Sequence, residues 1–249
     1  MTDVFFASEL KVDRAKFHLS TLQSEIDKYI ESNPFKVVVE QDETSSNHKW
    51  TLRVSHDIPF IFAAIIGDII HNLRASLDLL AAQAVIHNGG NPKDVYFPFS
   101  HNEESLDEMI KKRKIKRAGD HIVDLIKNLQ PYKGGNEKLR EIHDLDITDK
   151  HKTLIPVAHY AGIENFEMLG ASGPVLMIKN LKCGPIRDGM VIMSLPPAQN
   201  IQIGHSFQPK LSLTLENELP GSDLELNKLM ETYINLVVAI INNFKEAIE

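Results

Sequence analysis

The chain has 249 residues, with 43% hydrophobic and 24% charged residues, values typical of a globular protein with one large or two small domains. The net charge of −7 argues against general coating of nucleic acid, although it is compatible with a local basic site. The only cysteine, Cys183, excludes an internal disulfide framework and suits a reducing cytosol, so we expect a cytoplasmic protein. The N-terminal sequence lacks a signal-peptide pattern, and Asp68 interrupts the most apolar stretch, so we expect no membrane association.

Apolar periodicity predicts five helices and one β-hairpin in the first 154 residues. The helices are expected over 8–32, 58–86, 103–112, 120–129 and 137–153, and the hairpin over 35–55. Residues 155–220 alternate short β-prone runs with turns that contain Gly and Pro, which predicts a small sandwich or barrel. An amphipathic helix capped by Ser222 or Asp223 is expected to follow.

These elements predict an α+β fold. We expect a helical bundle over 1–154 with the hairpin as an insertion, a β-rich region over 155–220, and a C-terminal helix over 221–249 that packs back on the bundle.

The predicted helix over 58–86 carries polar groups among isoleucines, leucines and alanines. It contains neither lysine nor glutamate, which a solvated face would normally carry, so we expect it to be covered on most sides. Its polar side chains include Asp68, His71, Asn72, Arg74 and Asp78. Spacings of three, three and four residues place Asp68, His71, Arg74 and Asp78 in one row. A buried structural ladder and a site in which an aspartate tunes His71 are both consistent with this row.

A second helix, predicted over 137–153, also turns charged groups inward. On a helical wheel, the inward arc contains His143, Asp146, Asp149 and Lys150 beside leucines and isoleucines. The outward arc contains Arg140, Glu141, Asp144, Thr148, His151 and Lys152. Two helices with inward polar groups predict a shared site between packed helices.

Three roles are consistent with such a site. Acid–base chemistry on a phosphodiester would use a histidine for proton transfer and Arg74 or Lys150 to stabilise negative charge. A metal site would use imidazole and carboxylate ligands, but there is no HExxH motif and the carboxylates are aspartates rather than glutamates. A non-enzymatic ligand-binding or protein-interaction module would keep the polar cluster for structure alone.

The candidate site residues follow from these possibilities. The catalytic candidates are His71, Asp68, Arg74, His143 and Lys150, and the binding candidates are Asn72, Asp78, Asp146, Asp149 and His151. No residue is assigned as a metal ligand, and the pattern does not identify a cofactor.

Residues 60–152 resemble a widespread group of uncharacterised bacterial proteins. The resemblance rests on "IGDIIHNLRASLDLLA", "LQPY" and "IHDLDITDKHK", which follow the group's pattern GDxxHNLRxxLDHL, LQPY and LHxLxxxDKHR.

The first motif also resembles, more distantly, HEPN domains. These are helical bundles, often ribonucleases of toxin–antitoxin and anti-phage systems, with an Arg-x(4–6)-His signature. In this chain Leu79 occupies the position of the expected histidine after Arg74. The resemblance therefore implies an RNA-processing or defence function in which His71 or His143 replaces that histidine, or an inactive domain.

A basic run, "KKRKIKR", provides a candidate RNA contact. Its cations are Lys111, Lys112, Arg113, Lys114, Lys116 and Arg117. A solvated connector is the alternative, because an acidic segment precedes the run and no aromatic residue lies within it. The sequence is also compatible with a homodimer.

Overall fold

The computed structural model describes residues 4–42, 44–45, 47–154, 156–163, 166–170, 173–178, 186–195, 202–203, 209–216, 220–221 and 224–248. The cap predicted at Ser222 or Asp223 and the cysteine at Cys183 lie outside these residues.

The described residues contain six α-helices, at positions close to those predicted. They are α1 (Phe6–Glu31), α2 (Ile61–His87), α3 (Leu106–Lys112), α4 (Asp120–Leu129), α5 (Glu137–His151) and α6 (Leu226–Ile248). A 3-10 helix, Ile115–Ala118, lies between α3 and α4. None of the described helices has both the length and the apolar composition that a membrane crossing requires.

The described strands form small antiparallel sheets. They are β1 (Phe35–Gln41), β2 (His48–Val54), β3 (Pro156–Ile163), β4 (Phe166–Gly170), β5 (Gly173–Ile178), β6 (Met190–Leu195), β7 (Gln202–Ile203) and β8 (Pro209–Leu215). The sheets have the orders β1-β2-β6, β3-β8 and β5-β4-β7, and the described strands close no barrel. The predicted α+β class and the hairpin are thus confirmed, whereas the barrel form is not found.

The hairpin has a partner that the sequence did not indicate. Strand β2 pairs with β6, so the 35–55 segment shares a sheet with part of the later β-rich region. The division of the chain at residue 154 remains a prediction.

Helix α2 lies at the centre of the bundle because most of its surface is apolar and buried. Helix α1 runs antiparallel to it, and the Ser8 hydroxyl donates to the Ser76 carbonyl oxygen at 2.9 Å. Helix α6 contacts α1, α2, α4 and α5, so it does pack on the bundle. Phe244 of α6 meets Phe5 edge-on in the core.

Helix α5 supplies the other side of the candidate site. Its first turn is fixed by Asn136, whose side-chain oxygen accepts from the Leu139 N–H at 3.1 Å. Leu139, Ile142 and Leu145 bury one face of the helix and hold it against α2. This packing determines which α5 side chains can reach α2.

Candidate functional site

Helices α2 and α5 run antiparallel and approach each other at three successive levels. Asp149 lies against Gly67, Asp146 pairs with His71, and His143 pairs with Arg74. The first two levels, with Lys150, form what we call the open end. The third level, with Asp78 and Phe99, forms the closed end.

At the open end, a buried carboxylate holds an exposed imidazole. His71 Nδ1 lies 3.0 Å from Asp146 Oδ1, and Lys150 Nζ donates to Asp146 Oδ2 at 2.5 Å. The Asp146 side chain is 5% exposed, whereas that of His71 is 60% exposed. Because an ionised carboxylate only accepts hydrogen bonds, Nδ1 is the donor and the lone pair of neutral His71 is on Nε2. No hydrogen bond to Nε2 is found among the described residues.

Asp149 completes the open end because Gly67 has no side chain. A Cβ at Gly67 would lie 2.5 Å from Asp149 Oδ2, so only glycine admits the carboxylate in this position. Burial and the neighbouring Asp146 carboxylate raise the pKa of Asp149, while the Leu154 N–H and His71 act in the opposite direction. Asp149 therefore holds its proton to a higher pH than an ordinary aspartate.

At the closed end, Arg74 is enclosed by its partners. Its side chain is 12% exposed, and its guanidinium lies 4.7 Å from the centre of the Phe99 ring. Arg74 Nη1 is 2.6 Å from Asp78 Oδ1 but is not aligned with it as a hydrogen bond. Asp78 Oδ1 also accepts from the Phe97 N–H at 2.8 Å. These contacts indicate that Arg74 holds the neighbouring side chains of the closed end in position.

His143 is held neutral at the closed end. Arg74 Nε donates to His143 Nδ1 at 3.2 Å, which requires a lone pair on that nitrogen. Phe99 stacks on the imidazole with ring centres 4.5 Å apart. Burial, followed by the charges of Arg74 and Arg140, lowers the pKa of His143 to about 4.

The remaining predicted site residues lie at the edges of this arrangement. Asp68 is exposed on α2, and its carbonyl oxygen accepts from the buried Asn72 side chain at 2.7 Å. Asn72 Oδ1 also accepts from Lys11 Nζ at 3.4 Å. His151 is exposed at the end of α5, and no hydrogen bond or ion pair of its side chain is found in the described part of the chain.

Two details of the sequence-based interpretation are wrong. The intrahelical ladder forms only between Arg74 and Asp78 among the described contacts, because His71 turns to α5 instead. The predicted outward arc of α5 is also partly covered. Arg140 donates to the Ser100 carbonyl oxygen, and Glu141 accepts from the Tyr233 hydroxyl of α6.

The sequence did not indicate that side chains of α1 lie beside the polar residues of α2. Besides the contact of Lys11 with Asn72, His18 lies within electrostatic range of Asp68. Burial and the Arg14 charge lower the pKa of His18, and Asp68 acts in the opposite direction. Spacing gave no metal-ligand signal at His18, and only the packing of α1 on α2 reveals its position.

Three of the six cations in the basic run form contacts with nearby residues. Lys114 pairs with Asp94 at 2.6 Å, Arg117 donates to the Asn91 carbonyl oxygen at 2.8 Å, and Arg113 lies over the Tyr96 ring. Lys111, Lys112 and Lys116 have no ion pair among the described contacts. RNA contact through this run and the homodimer both remain predictions.

The basic run is also distant from His71. The Asn88 side chain, at the end of α2, donates to the Arg117 carbonyl oxygen. Asn88 follows His71 by 17 residues, which corresponds to about 25 Å along a helix.

Within the described residues, no three His, Cys, Asp or Glu side chains are grouped so that they could hold a metal ion. A scan against family models and searches of curated proteins and of solved structures gave no match to this chain. The resemblances to the bacterial group and to HEPN domains therefore remain predictions.

Proposed function

We propose that this protein is a ribonuclease in which His71 Nε2 is the proton-transfer atom at the open end. The observation that carries the proposal is the hydrogen bond that Nδ1 of a 60% exposed imidazole, His71, donates to buried Asp146. A carboxylate in this position fixes the tautomer and the orientation of the ring, and it stabilises the cation formed when Nε2 takes a proton.

The proposed reaction needs only groups at the open end and the RNA itself. His71 Nε2 takes the proton of a ribose 2′-hydroxyl, and that oxygen forms a bond to the adjacent phosphorus. The bond from phosphorus to the 5′-oxygen breaks, and this oxygen takes a proton from Asp149. The raised pKa of Asp149 favours it as the acid. The products are a 2′,3′-cyclic phosphate and a 5′-hydroxyl, and exchange with water restores both protein groups.

One cation beside His71 supports an anionic polymer as substrate. Lys150 is 55% exposed beside Asp146, so its ammonium group can approach the phosphoryl oxygens. Because His71 is on an open surface, a long chain can reach it without entering a closed pocket. The HEPN resemblance independently favours RNA, and in this proposal His71 acts in place of the histidine missing at Leu79.

Cleavage of a single-stranded RNA labelled with a fluorophore and a quencher tests the proposal. We expect wild-type protein to cleave it and His71→Ala to be slower by about a hundredfold or more. His87→Ala is the matched control, since His87 is also an exposed histidine of α2 but lies in its last turn. A 2′-O-methyl group at the cleaved position should block the reaction. Absence of cleavage by the wild type, or full cleavage by His71→Ala, would refute the proposal.

The HEPN resemblance extends the proposal to a toxin or anti-phage role. Induced expression in bacterial cells should then slow growth with the wild type and leave growth unchanged with His71→Ala. Equal growth of the two strains would remove this extension.

A further inference from the structure

One exposed face of α1 combines positive charge with an aromatic ring. Arg14 and Phe17 are exposed, and the Arg14 guanidinium lies 4.9 Å from the centre of the Phe17 ring. Phe17 is 57% exposed and meets the His18 ring edge-on, with ring centres 5.9 Å apart. We call this face the α1 strip, and it consists of Lys11, Arg14, Phe17 and His18.

The α1 strip lies beside the open end of the candidate site. Lys11 reaches Asn72, the neighbour of His71, and His18 lies within electrostatic range of Asp68, one turn before His71. Lys11, Arg14 and His18 follow at spacings of three and four residues, so they share one side of α1. Because α1 and α2 are antiparallel, this side runs along the edge of α2 that carries Asp68 and His71.

This combination is typical of surfaces that bind single-stranded nucleic acid. Cations spaced along a helix neutralise phosphates, and an exposed aromatic ring provides a surface on which an unpaired base stacks. A base in a duplex is already stacked on its neighbours, so the Phe17 ring favours a single strand.

We propose that the α1 strip binds single-stranded RNA and places it across His71. This inference rests on the proposed ribonuclease function and identifies the form of its substrate and the surface that holds it. It also moves the RNA contact from the basic run, about 25 Å away along α2, to a helix that touches the site.

Two acidic residues flank the α1 strip. Asp13 is paired with Lys16 at 3.3 Å. Asp68 is an exposed carboxylate near His18, and its charge partly offsets the positive charge of the α1 strip.

Binding is measured with full-length protein carrying His71→Ala, or His71→Gln if the first variant folds poorly, so that RNA is not consumed. The probe is a fluorescein-labelled 12-nucleotide oligouridylate, followed by fluorescence anisotropy. Phe17→Ala should raise Kd by about tenfold, because one stacked base is lost. Arg14→Gln should raise Kd and reduce the slope of log K against log salt concentration by about 0.7.

The chain offers a closely matched control pair. Arg113, a member of the basic run, lies over the ring of exposed Tyr96 in the same kind of contact. If the α1 strip is the RNA surface, Arg113→Gln and Tyr96→Ala change Kd less than twofold. Circular dichroism melting curves verify that all four variants fold.

The outcomes separate this inference from the ribonuclease proposal. Equal or larger effects of the Arg113 and Tyr96 variants, no effect of the α1 variants, or no RNA binding at all would overturn the inference, even where the wild type cleaves RNA. Binding that depends on Arg14 and Phe17, together with no cleavage by the wild type, would uphold the inference and refute the ribonuclease proposal. A duplex of the same length should bind more weakly than the single strand, and tighter binding of the duplex would also overturn it.

Discussion

The two ends of the α2–α5 interface use the same residue types in opposite ways. At the closed end Arg74 donates to His143, whereas at the open end His71 donates to Asp146. The segment that contains Phe97 and Phe99 covers the closed end. A histidine bonded to a buried cation is held neutral, and one bonded to a buried carboxylate is oriented for proton transfer. We therefore expect the closed end to govern stability and the open end to govern activity.

The largest effect should come from removing the cation of the closed end. Arg74→Met leaves Asp78 and His143 without their partner in a largely enclosed position, which should lower the free energy of unfolding by about 3 kcal/mol. For a chain of this size, that loss corresponds to a melting temperature lower by about 9 °C.

Arg53→Met is the control for that substitution. Arg53 forms an exposed ion pair with Glu40, which solvent screens, so its loss should lower the melting temperature much less than Arg74→Met does. Equal melting temperatures for the two variants would show that the closed end does not stabilise the fold.

The next effect should come from Asp146→Asn at the open end. The asparagine side chain has nearly the same size but no charge, so it no longer fixes the His71 tautomer or stabilises the protonated ring. We expect RNA cleavage to fall by about a hundredfold. Thermal unfolding, measured on the same sample, should show a smaller change than in Arg74→Met. A larger loss of melting temperature in Asp146→Asn than in Arg74→Met, with cleavage unchanged, would contradict the assignment of activity to the open end and stability to the closed end.

The pH dependence of stability should follow His143. Its pKa is about 4 in the folded protein and 6.5 in the unfolded chain, so the unfolded state binds more protons between these values. Stability is therefore highest above pH 6.5 and falls as pH decreases from 6.5 towards 4. The raised pKa of Asp149 acts in the opposite direction at the lower end of this range.

His143→Gln isolates the contribution of His143. Glutamine can still accept a hydrogen bond from Arg74 but does not titrate. As the pH is lowered from 7 to 4, the melting temperature of the wild type should fall more steeply than that of this variant. Parallel curves would mean that His143 is not held neutral by the closed end.

The smallest expected effect on stability concerns Gly67→Ala. Alanine favours the helix by about 1 kcal/mol, but its methyl group would displace the Asp149 carboxylate. We therefore expect the free energy of unfolding to change by less than about 1 kcal/mol, and RNA cleavage to fall by about tenfold. In an Asp149→Asn background, Gly67→Ala should have a weaker effect on cleavage. Additive effects of the two substitutions would contradict a shared role.

Local sequence patterns predicted much of the fold and of the interface. The helical wheel placed Asp146 and His143 on the side of α5 that meets α2, because leucines and isoleucines at helical spacing define the buried face. It failed for Arg140 and Glu141, which the segment around Ser100 and helix α6 cover. A wheel describes one helix and contains no information about which other segments pack on it.

Long-range pairing accounts for the other differences. The pairing of β2 with β6 joins residues about 140 positions apart, and strand propensity does not specify such a partner. The α1 strip was missed for a similar reason. Lys11, Arg14 and His18 form an ordinary polar side of an amphipathic helix, and their relation to His71 depends on the antiparallel packing of α1 on α2.

The central claim is that Asp146 orients His71 with its proton on Nδ1 and its lone pair on Nε2. The position of the proton on the neutral His71 ring tests this claim most directly. In a long-range ¹H–¹⁵N NMR spectrum recorded where the ring is neutral, the ¹⁵N shifts of His71 show which nitrogen carries the proton. The account predicts a proton on Nδ1 in the wild type and a mixture of tautomers in Asp146→Asn. A wild-type ring protonated on Nε2, or a tautomer that Asp146→Asn does not alter, would contradict it.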